Sequence, residues 1–322
     1  FGSRSSCLRL ADTLGMSNRS RKDEPWIEAV RLARYQSASR GLPVSVVPFD
    51  GDALLLAATG ALMRAGLHGR APSEVGPRGE FREPSHVTVA PGGALLVTDT
   101  GNHRVMRLAA GASEWTLVAG GRGSGQGLHQ LRFPRAACSG ADGRLLVADS
   151  GNHRVLAFRD GAAEGVVVAG GQGPGSRLEQ LRGPCCVAVA LDGGLLVADT
   201  LNNRVLHFAE GALQGRPVLR HPDVHHPISI ASGPDGSLAV ADRCNHRVLL
   251  LAPGARRAQV LVDALRFPSS VAFDAGGHVI AADTLQKLVY VQNRQALRKF
   301  VSSLPRLRVL GENLMTHMTS FL

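Results

Sequence analysis

One group of side chains recurs along the chain every 41–50 residues and could do chemistry. Four copies follow a short apolar run and have the pattern Asp-x-x-Asn-His-Arg, with Asn in place of His in one of them, and a fifth copy keeps only the Asp. Asp and Arg five residues apart across a tight turn can pair, and Asn and Asp side chains can also hold the turn through its backbone. The aspartates are Asp99, Asp149, Asp199, Asp242 and Asp283, and the arginines are Arg104, Arg154, Arg204 and Arg247.

The recurrence favours a structural role for this group. A catalytic site needs different side chains that converge on one point, whereas a group present in nearly every repeat builds the repeat. We therefore expect these residues to shape turns and stabilise the fold.

A second set of arginines lies in the turns and linkers around these repeats. Guanidinium groups bind carboxylates and phosphates through planar, bidentate contacts. The turn after the second strand of a four-stranded repeat shares a face with the linker to the next repeat, so one face should be rich in guanidinium. The alternative is that the repeat arginines pair with the aspartates and the linker arginines are only solvated. The candidate binding-face residues are Arg122, Arg132, Arg135, Arg177, Arg182, Arg243 and Arg266.

Two glycine-rich linkers, residues 120–134 and 170–184, are candidates for phosphate binding through exposed backbone N–H groups. No Lys-Ser/Thr pair and no helix signal follows them, which excludes a P-loop or a dinucleotide fingerprint. Plain turn geometry is the favoured interpretation.

A cluster of four metal-binding side chains interrupts the repeat: His221, Asp223, His225 and His226. Imidazoles and carboxylates are good metal ligands. Adjacent His225 and His226 would point apart in an extended chain, and flanking prolines stiffen the loop. We therefore expect a surface loop that holds no metal and no cofactor.

The sequence also contains neither a G-x-S-x-G nor an H-E-x-x-H motif.

The spacing of the repeated aspartates predicts the fold. Successive aspartates are 50, 50, 43 and 41 residues apart, and a further step of 41 reaches Ala58 in a degenerate first copy. Each copy contains apolar runs separated by Asp-Gly or Gly-Gly turns, which are hairpin signals. Four antiparallel strands every 40–50 residues predict an all-β, six-bladed β-propeller.

The repeated segment resembles the NHL repeat, named for the Asn, His and Leu of its motif. Segments LLVTDTGNHRVMRL (95–108) and LLVADSGNHRVLAF (145–158) carry the resemblance, as do the two glycine-rich linkers. The resemblance covers roughly residues 41–303 and implies a propeller that usually has six blades. It also implies a range of functions, from the substrate- or RNA-recognition end of tripartite-motif ubiquitin ligases to propeller lyases and lactonases.

Domain boundaries follow from the repeat. We expect an N-terminal extension at 1–40, partly disordered with a short helix near 24–37, a propeller at 41–303, and a C-terminal tail or closing strand at 304–322. The apolar stripe of Trp26, Ala29, Val30 and Ala33 suggests the helix. Because the sequence begins with Phe1, we expect a fragment or a processed product, with a targeting segment in residues 1–22 as an alternative to a linker.

Composition narrows the function classes. The chain has 322 residues and a net charge of +10, with 33 arginines and only three lysines. Its longest apolar stretch, Ala53–Met63, is far shorter than the roughly 20 residues of a membrane span. We therefore expect no membrane insertion. The five cysteines include no C-x-x-C pair, which favours free thiols in a reducing compartment, so we expect a cytoplasmic location.

These observations favour a non-catalytic interaction module. We expect a protein partner on the face that carries the Asn-His-Arg turns and the linkers, with Phe133 and Phe267 as candidate anchors. The alternatives are RNA binding by the basic face, with an upstream RING domain, and a metal-dependent lyase or lactonase. Scarce aromatic residues weaken the RNA alternative, and we expect no DNA binding.

Overall fold

The computed structural model describes residues 26–31, 43–49, 53–58, 61–66, 73–75, 80–263, 265–284 and 288–292. The chain divides into two units, Ala29–Tyr290 and Phe1–Glu28 with Val291–Leu322. In the described ranges the regular elements are strands and short 3₁₀ turns. No helix in these ranges is long and apolar enough to cross a membrane.

The strands are β1 Trp26–Arg31, β2 Pro43–Phe49, β3 Ala53–Ala58, β4 Ala61–Gly66, β5 Ser73–Glu74, β6 Pro84–Val89, β7 Leu95–Asp99, β8 Arg104–Leu108, β9 Trp115–Gly120, β10 Ala136–Ser139, β11 Leu145–Asp149, β12 Arg154–Phe158, β13 Val166–Gly170, β14 Cys186–Val189, β15 Leu195–Asp199, β16 Arg204–Phe208, β17 Arg216–Arg220, β18 Pro227–Ser232, β19 Leu238–Asp242, β20 Arg247–Leu251, β21 Gln259–Val262, β22 Pro268–Phe273, β23 Val279–Asp283 and β24 Leu288–Gln292.

The strands form sheets of four. Four of these sheets are described throughout, and their strands pair in chain order: β6–β9, β10–β13, β14–β17 and β18–β21. The other sheets are β2–β5 and a sheet of order β1-β24-β23-β22. Four-stranded meanders that repeat along the chain are propeller blades. The predicted all-β propeller class is confirmed.

The predicted N-terminal helix is wrong over Trp26–Arg31, which form strand β1. Trp, Ile and Val favour strands, and β1 completes the sheet of β22–β24. A helix of so few residues is marginal in water, so pairing in a sheet prevails. The rest of the predicted helix, and residues 304–322, lie outside the described residues.

Burial on both faces explains why the strands read as continuous apolar runs. All five residues of β12 and all five of β16 are buried, and Phe158 and Phe208 are almost completely enclosed. Strands covered on both faces lose the apolar–polar alternation of a half-exposed sheet. The glycines of the predicted Asp-Gly hairpin turns have the positive φ that these turns require, 79° at Gly143 and 81° at Gly193.

Polar side chains on the first strands of the sheets bond to the backbone of neighbouring sheets. These side chains are Ser45, His86, Ser229 and Ser270. Each lies opposite an Ala or Thr of the second strand, one residue before the aspartate position. The bonds run from Val271 N to Ser229 Oγ, from Val46 N to Ser270 Oγ and from Val87 N to Ser45 Oγ. They satisfy strand-edge N–H groups that would otherwise be buried without a partner.

His86 occupies the same position in β6 and should make stability depend on pH. Burial lowers the pKa of His86 to about 4, and a bond to the Ala137 backbone only partly opposes that shift. The unfolded chain therefore takes up this proton more readily than the folded chain as pH falls below about 6.5. We expect the wild type to lose about 2–3 kcal/mol more than His86→Gln between neutral pH and pH 4. Urea unfolding of both proteins across this range checks the prediction; parallel pH curves would contradict it.

Candidate functional site

Each of the four blades that are described throughout has one fully buried aspartate at the end of its second strand. The Asp149 carboxylate accepts bonds from Arg132 N at 2.7 Å, from Asn152 Nδ2 at 2.8 Å and from Arg154 Nε at 2.8 Å. An equivalent backbone N–H, Asn amide and Arg Nε donate at 2.6–2.9 Å to each of the other three aspartates. They belong to Arg82, Asn102 and Arg104 at Asp99, to Arg182, Asn202 and Arg204 at Asp199, and to His225, Asn245 and Arg247 at Asp242. Asp283 accepts bonds from Arg266 N at 2.6 Å and Phe267 N at 3.2 Å.

The repeat arginines bind the linker that precedes their blade. Arg154 donates through its Nη atoms to the carbonyl oxygens of Gln126, Gly127 and Gln130 at 2.8–3.2 Å. Arg204 makes the equivalent bonds to the linker at 176–180. These two arginine side chains are only 8% and 10% exposed, so their guanidinium groups are not available to a ligand.

The histidine position binds the linker that follows the blade. His153 has a left-handed backbone, with φ of 57°, and its Nδ1 accepts a bond from Gly183 N at 3.1 Å. His103 accepts from Phe133 N in the same way, at 3.2 Å. Burial lowers the pKa of His153, and the charges of Arg132 and Arg182 lower it further, which keeps this imidazole neutral and able to accept. The motif thus fixes linkers on both sides of a blade.

A set of exposed basic residues lies at this end of the strands, one per blade. Each one donates its backbone N–H to the buried aspartate while its side chain faces solvent. Each also stands two residues before the proline that begins a first strand or leads into it. This basic collar consists of Arg82, Arg132, Arg182, His225 and Arg266.

The structure brings the remaining predicted binding-face residues to the same end. Arg122 and Arg177 are exposed in the two glycine-rich linkers, and Arg135 is exposed just after Pro134. Arg243 is half-buried in the turn after Asp242, with its guanidinium carbon 3.8 Å from the centre of the Phe267 ring. The predicted basic set therefore shares one face, but the repeat arginines contribute little to it.

The glycine-rich linkers have the geometry of a braced turn. Gly125 N bonds to the Leu131 carbonyl oxygen, and Gly127 N bonds to Gln130 Oε1, both at 3.4 Å. Gln130 Nε2 donates to the Arg122 carbonyl oxygen at 3.3 Å. The N–H groups of Gly125 and Gly127 therefore already have partners within the linker.

The four metal candidates do not form a site. The His221 and His225 rings meet edge to face at 6.2 Å, and the backbones of Asp223 and His226 bond to Arg220 and Asn203. His225 belongs to the basic collar through its backbone. Nowhere in the described ranges do three His, Cys, Asp or Glu side chains lie close enough together to hold a metal ion.

A cleft of about 520 Å³ opens at the opposite end of the strands. Its lining is largely apolar and includes Val189, Leu191, Pro234 and Phe273. The carboxylate in it, Asp274, accepts two bonds from His278, at 2.7 Å each. A catalytic site needs several polar groups that converge, and this cleft offers one carboxylate whose partner is already in place.

The family model of the NHL repeat matches residues 81–107, 131–158 and 225–249. The chain contains NHL repeats. Each matched stretch runs from the collar position through the buried aspartate to the repeat arginine, which are the residues that hold blade and linker together. None of the curated proteins gives a significant match to this sequence.

Several solved structures, among them a β-propeller domain, are similar to this NHL-repeat chain at low sequence identity. A Bacteroides thetaiotaomicron protein of unknown function has a TM-score of 0.64 at 14% identity, over 84% of this chain and 72% of its own. A streptogramin B lyase has a TM-score of 0.59 at 13% identity, over 84% and 99%. The WD40 β-propeller domain of Doa1 has a TM-score of 0.56 at 14% identity, over 78% of each chain. At these identities the likeness establishes the fold alone.

Proposed function

We propose that this chain is a non-catalytic interaction module that binds an acidic segment of a protein partner on the collar face. This face comprises the basic collar together with Arg122, Arg135, Arg177 and Arg243. The observation that carries the proposal is the repetition of an exposed basic side chain on a backbone fixed by a buried aspartate. Because the backbone of these residues is already fixed, binding costs less conformational entropy.

We further propose that the sheets close into one propeller of six blades. Six four-stranded sheets support this number. The bond from Val46 N to Ser270 Oγ joins the first strand of the sheet β2–β5 to β22, and the bond from Val87 N to Ser45 Oγ continues to β6. A closed ring would place the collar residues around one central opening.

The aromatic side chains of the collar face favour protein over RNA. The Phe267 ring is covered by Arg243, and the Phe133 ring meets His103 edge-on at 4.7 Å. Single-stranded RNA binds on aromatic faces that are free to stack with successive bases. Phe133 is 46% exposed and suits an apolar anchor of a peptide contact.

Cys138 and Cys186 are unsuited to act as catalytic nucleophiles. Burial raises the pKa of Cys138 to about 12 and the pKa of Cys186 to about 11. A cysteine nucleophile reacts as the thiolate, so these two groups are unsuited to attack at neutral pH.

Acidic peptides should bind this chain, whereas RNA should not. We expect a random peptide library to yield binders enriched in Asp and Glu, and a mixed RNA pool to show no binding at roughly 50 mM salt. Fluorescence anisotropy at roughly 50 mM and 200 mM salt measures both. RNA that binds at low salt and loses affinity steeply at high salt would contradict the proposal, because that slope reports counterion release from phosphates.

A further inference from the structure

The cleft at the far end of the strands is built from the same position in three consecutive sheets. Its lining consists of the last residue of β14, of β18 and of β22, each with the two residues that follow it: 189–191, 232–234 and 273–275. The repeat thus brings three separate segments of the chain together around about 520 Å³. Sites for small molecules typically have volumes in this range and mostly apolar walls with few polar groups.

The side chains of the cleft pack across the boundaries between these sheets. A Cβ at Gly236 would lie 3.1 Å from Leu191 Cδ2, and a Cβ at Gly233 would lie 3.1 Å from the Phe273 ring. Both glycines belong to the turn between β18 and β19, which therefore contacts Leu191 from one neighbouring sheet and Phe273 from the other. Leu191 is still 75% exposed, so the cleft presents apolar surface that a ligand would remove from water.

Among the described lining residues, only Asp274 carries a charge. Its carboxylate accepts bonds from the backbone N–H and from Nδ1 of His278, each at 2.7 Å. A neutral imidazole with its proton on Nδ1 makes the second bond, so the carboxylate keeps its negative charge. Each carboxylate oxygen has a second lone pair, which a cationic donor can use for a charge-assisted hydrogen bond.

We propose that this cleft is a second binding site, for a small organic cation that joins one ammonium group to an apolar body. The ammonium group donates to Asp274, and the apolar body covers Leu191, Pro234 and Phe273. A carboxylate between apolar walls attracts a cation more strongly than one in open water, whereas it repels an anion. The cleft and the collar face lie at opposite ends of the strands, so this site does not depend on the proposed acidic partner.

The test compares three probes with the same apolar body: 4-phenylbutylamine, 4-phenylbutanol and 4-phenylbutyrate. Ligand-observed NMR titration against the full chain measures their affinities. We expect the amine to bind about tenfold more tightly than the alcohol, and the carboxylate to bind most weakly, because only the amine makes a charge-assisted bond with Asp274.

Two variants that lose the same charge assign this preference to one carboxylate. Asp274→Asn has nearly the same size and keeps an acceptor for His278, and it should reduce the affinity for the amine about tenfold, to that for the alcohol. The control, Asp160→Asn, removes an acid that is 87% exposed in the turn between β12 and β13 at the same end of the strands. It should leave the affinity for the amine within about twofold of wild type.

A second pair of variants tests the apolar wall. Leu191→Ala should weaken binding of both the amine and the alcohol about threefold, because it removes apolar contact and no charge. Leu213→Ala is the control, since Leu213 is 79% exposed in the turn between β16 and β17 at the same end but does not line the cleft. It should leave both affinities unchanged. Unchanged melting temperatures show that the variants remain folded.

Several results would overturn the site. The amine could bind wild type no better than the alcohol, or fail to bind at about 10 mM, a concentration well above that expected for even a weak site. Equal effects of Asp274→Asn and Asp160→Asn, or of Leu191→Ala and Leu213→Ala, would also contradict it. The acidic library peptides should bind Asp274→Asn as they bind wild type, so failure of this site leaves the proposed function intact.

Discussion

Asp149→Ala is expected to lower the free energy of unfolding by about 3–5 kcal/mol. The Asp149 carboxylate is fully buried and accepts three hydrogen bonds. Its removal leaves the backbone N–H of Arg132 and the amide of Asn152 without this acceptor, and it leaves Arg154 as an uncompensated charge that is 8% exposed. Loss of one member of a buried ion pair costs far more than loss of a surface pair.

Urea unfolding measures this effect, with Asp142→Ala as the matched control. Asp142 lies in an exposed turn of the same blade and pairs with Arg144 at the surface. We expect Asp142→Ala to change stability by no more than about 1 kcal/mol. Well below its melting temperature, Asp149→Ala should bind the library peptides more weakly but not lose binding, because Arg132 is the collar residue whose backbone bond it removes. Normal stability with abolished peptide binding would reverse the structural assignment of this aspartate.

The propeller could be predicted because weak local signals were repeated. A single run such as LLVAD is ambiguous by itself, but the same run with a glycine turn before it and Asn-His-Arg after it recurs at nearly constant spacing. Repetition fixed the position of the second-strand end, including Ala58, which ends β3 as the aspartates end the equivalent strands. The aspartate–arginine pairs followed from the register, since Asp149 stands opposite Arg154 across the turn.

The N-terminal strand could not be predicted from local pattern. Residues 26–31 carry apolar side chains at spacings that suit one face of a helix, and periodicity in so short a segment does not separate helix from strand. The partner that decides the outcome, β24, lies more than 250 residues away in the sequence. Pairing at such distance has no local signature.

The collar was only partly visible in the sequence. Arg132, Arg182 and Arg266 were predicted, but Arg82 and His225 were missed, because the pattern that unites them is a single basic residue two positions before a proline. The contacts of Arg154 with Gln126 and Gly127 were equally invisible, since they join residues 27 and 28 positions apart. Those contacts decide which arginines are occupied within the fold and which remain for a ligand.

The most direct test of the acidic-partner proposal is charge reversal on the collar, with binding of the acidic library peptides as the readout. Arg132→Glu with Arg182→Glu turns two attractions into repulsions on adjacent blades, and we expect affinity to fall about thirtyfold, near 2 kcal/mol. The control, Arg256→Glu with Arg257→Glu, makes the same change in net charge in the exposed turn between β20 and β21, at the far end of the strands. The proposal predicts affinity within about twofold of wild type for this control. Equal losses in the two variants, or no loss in the collar variant, would contradict the assignment of binding to this face.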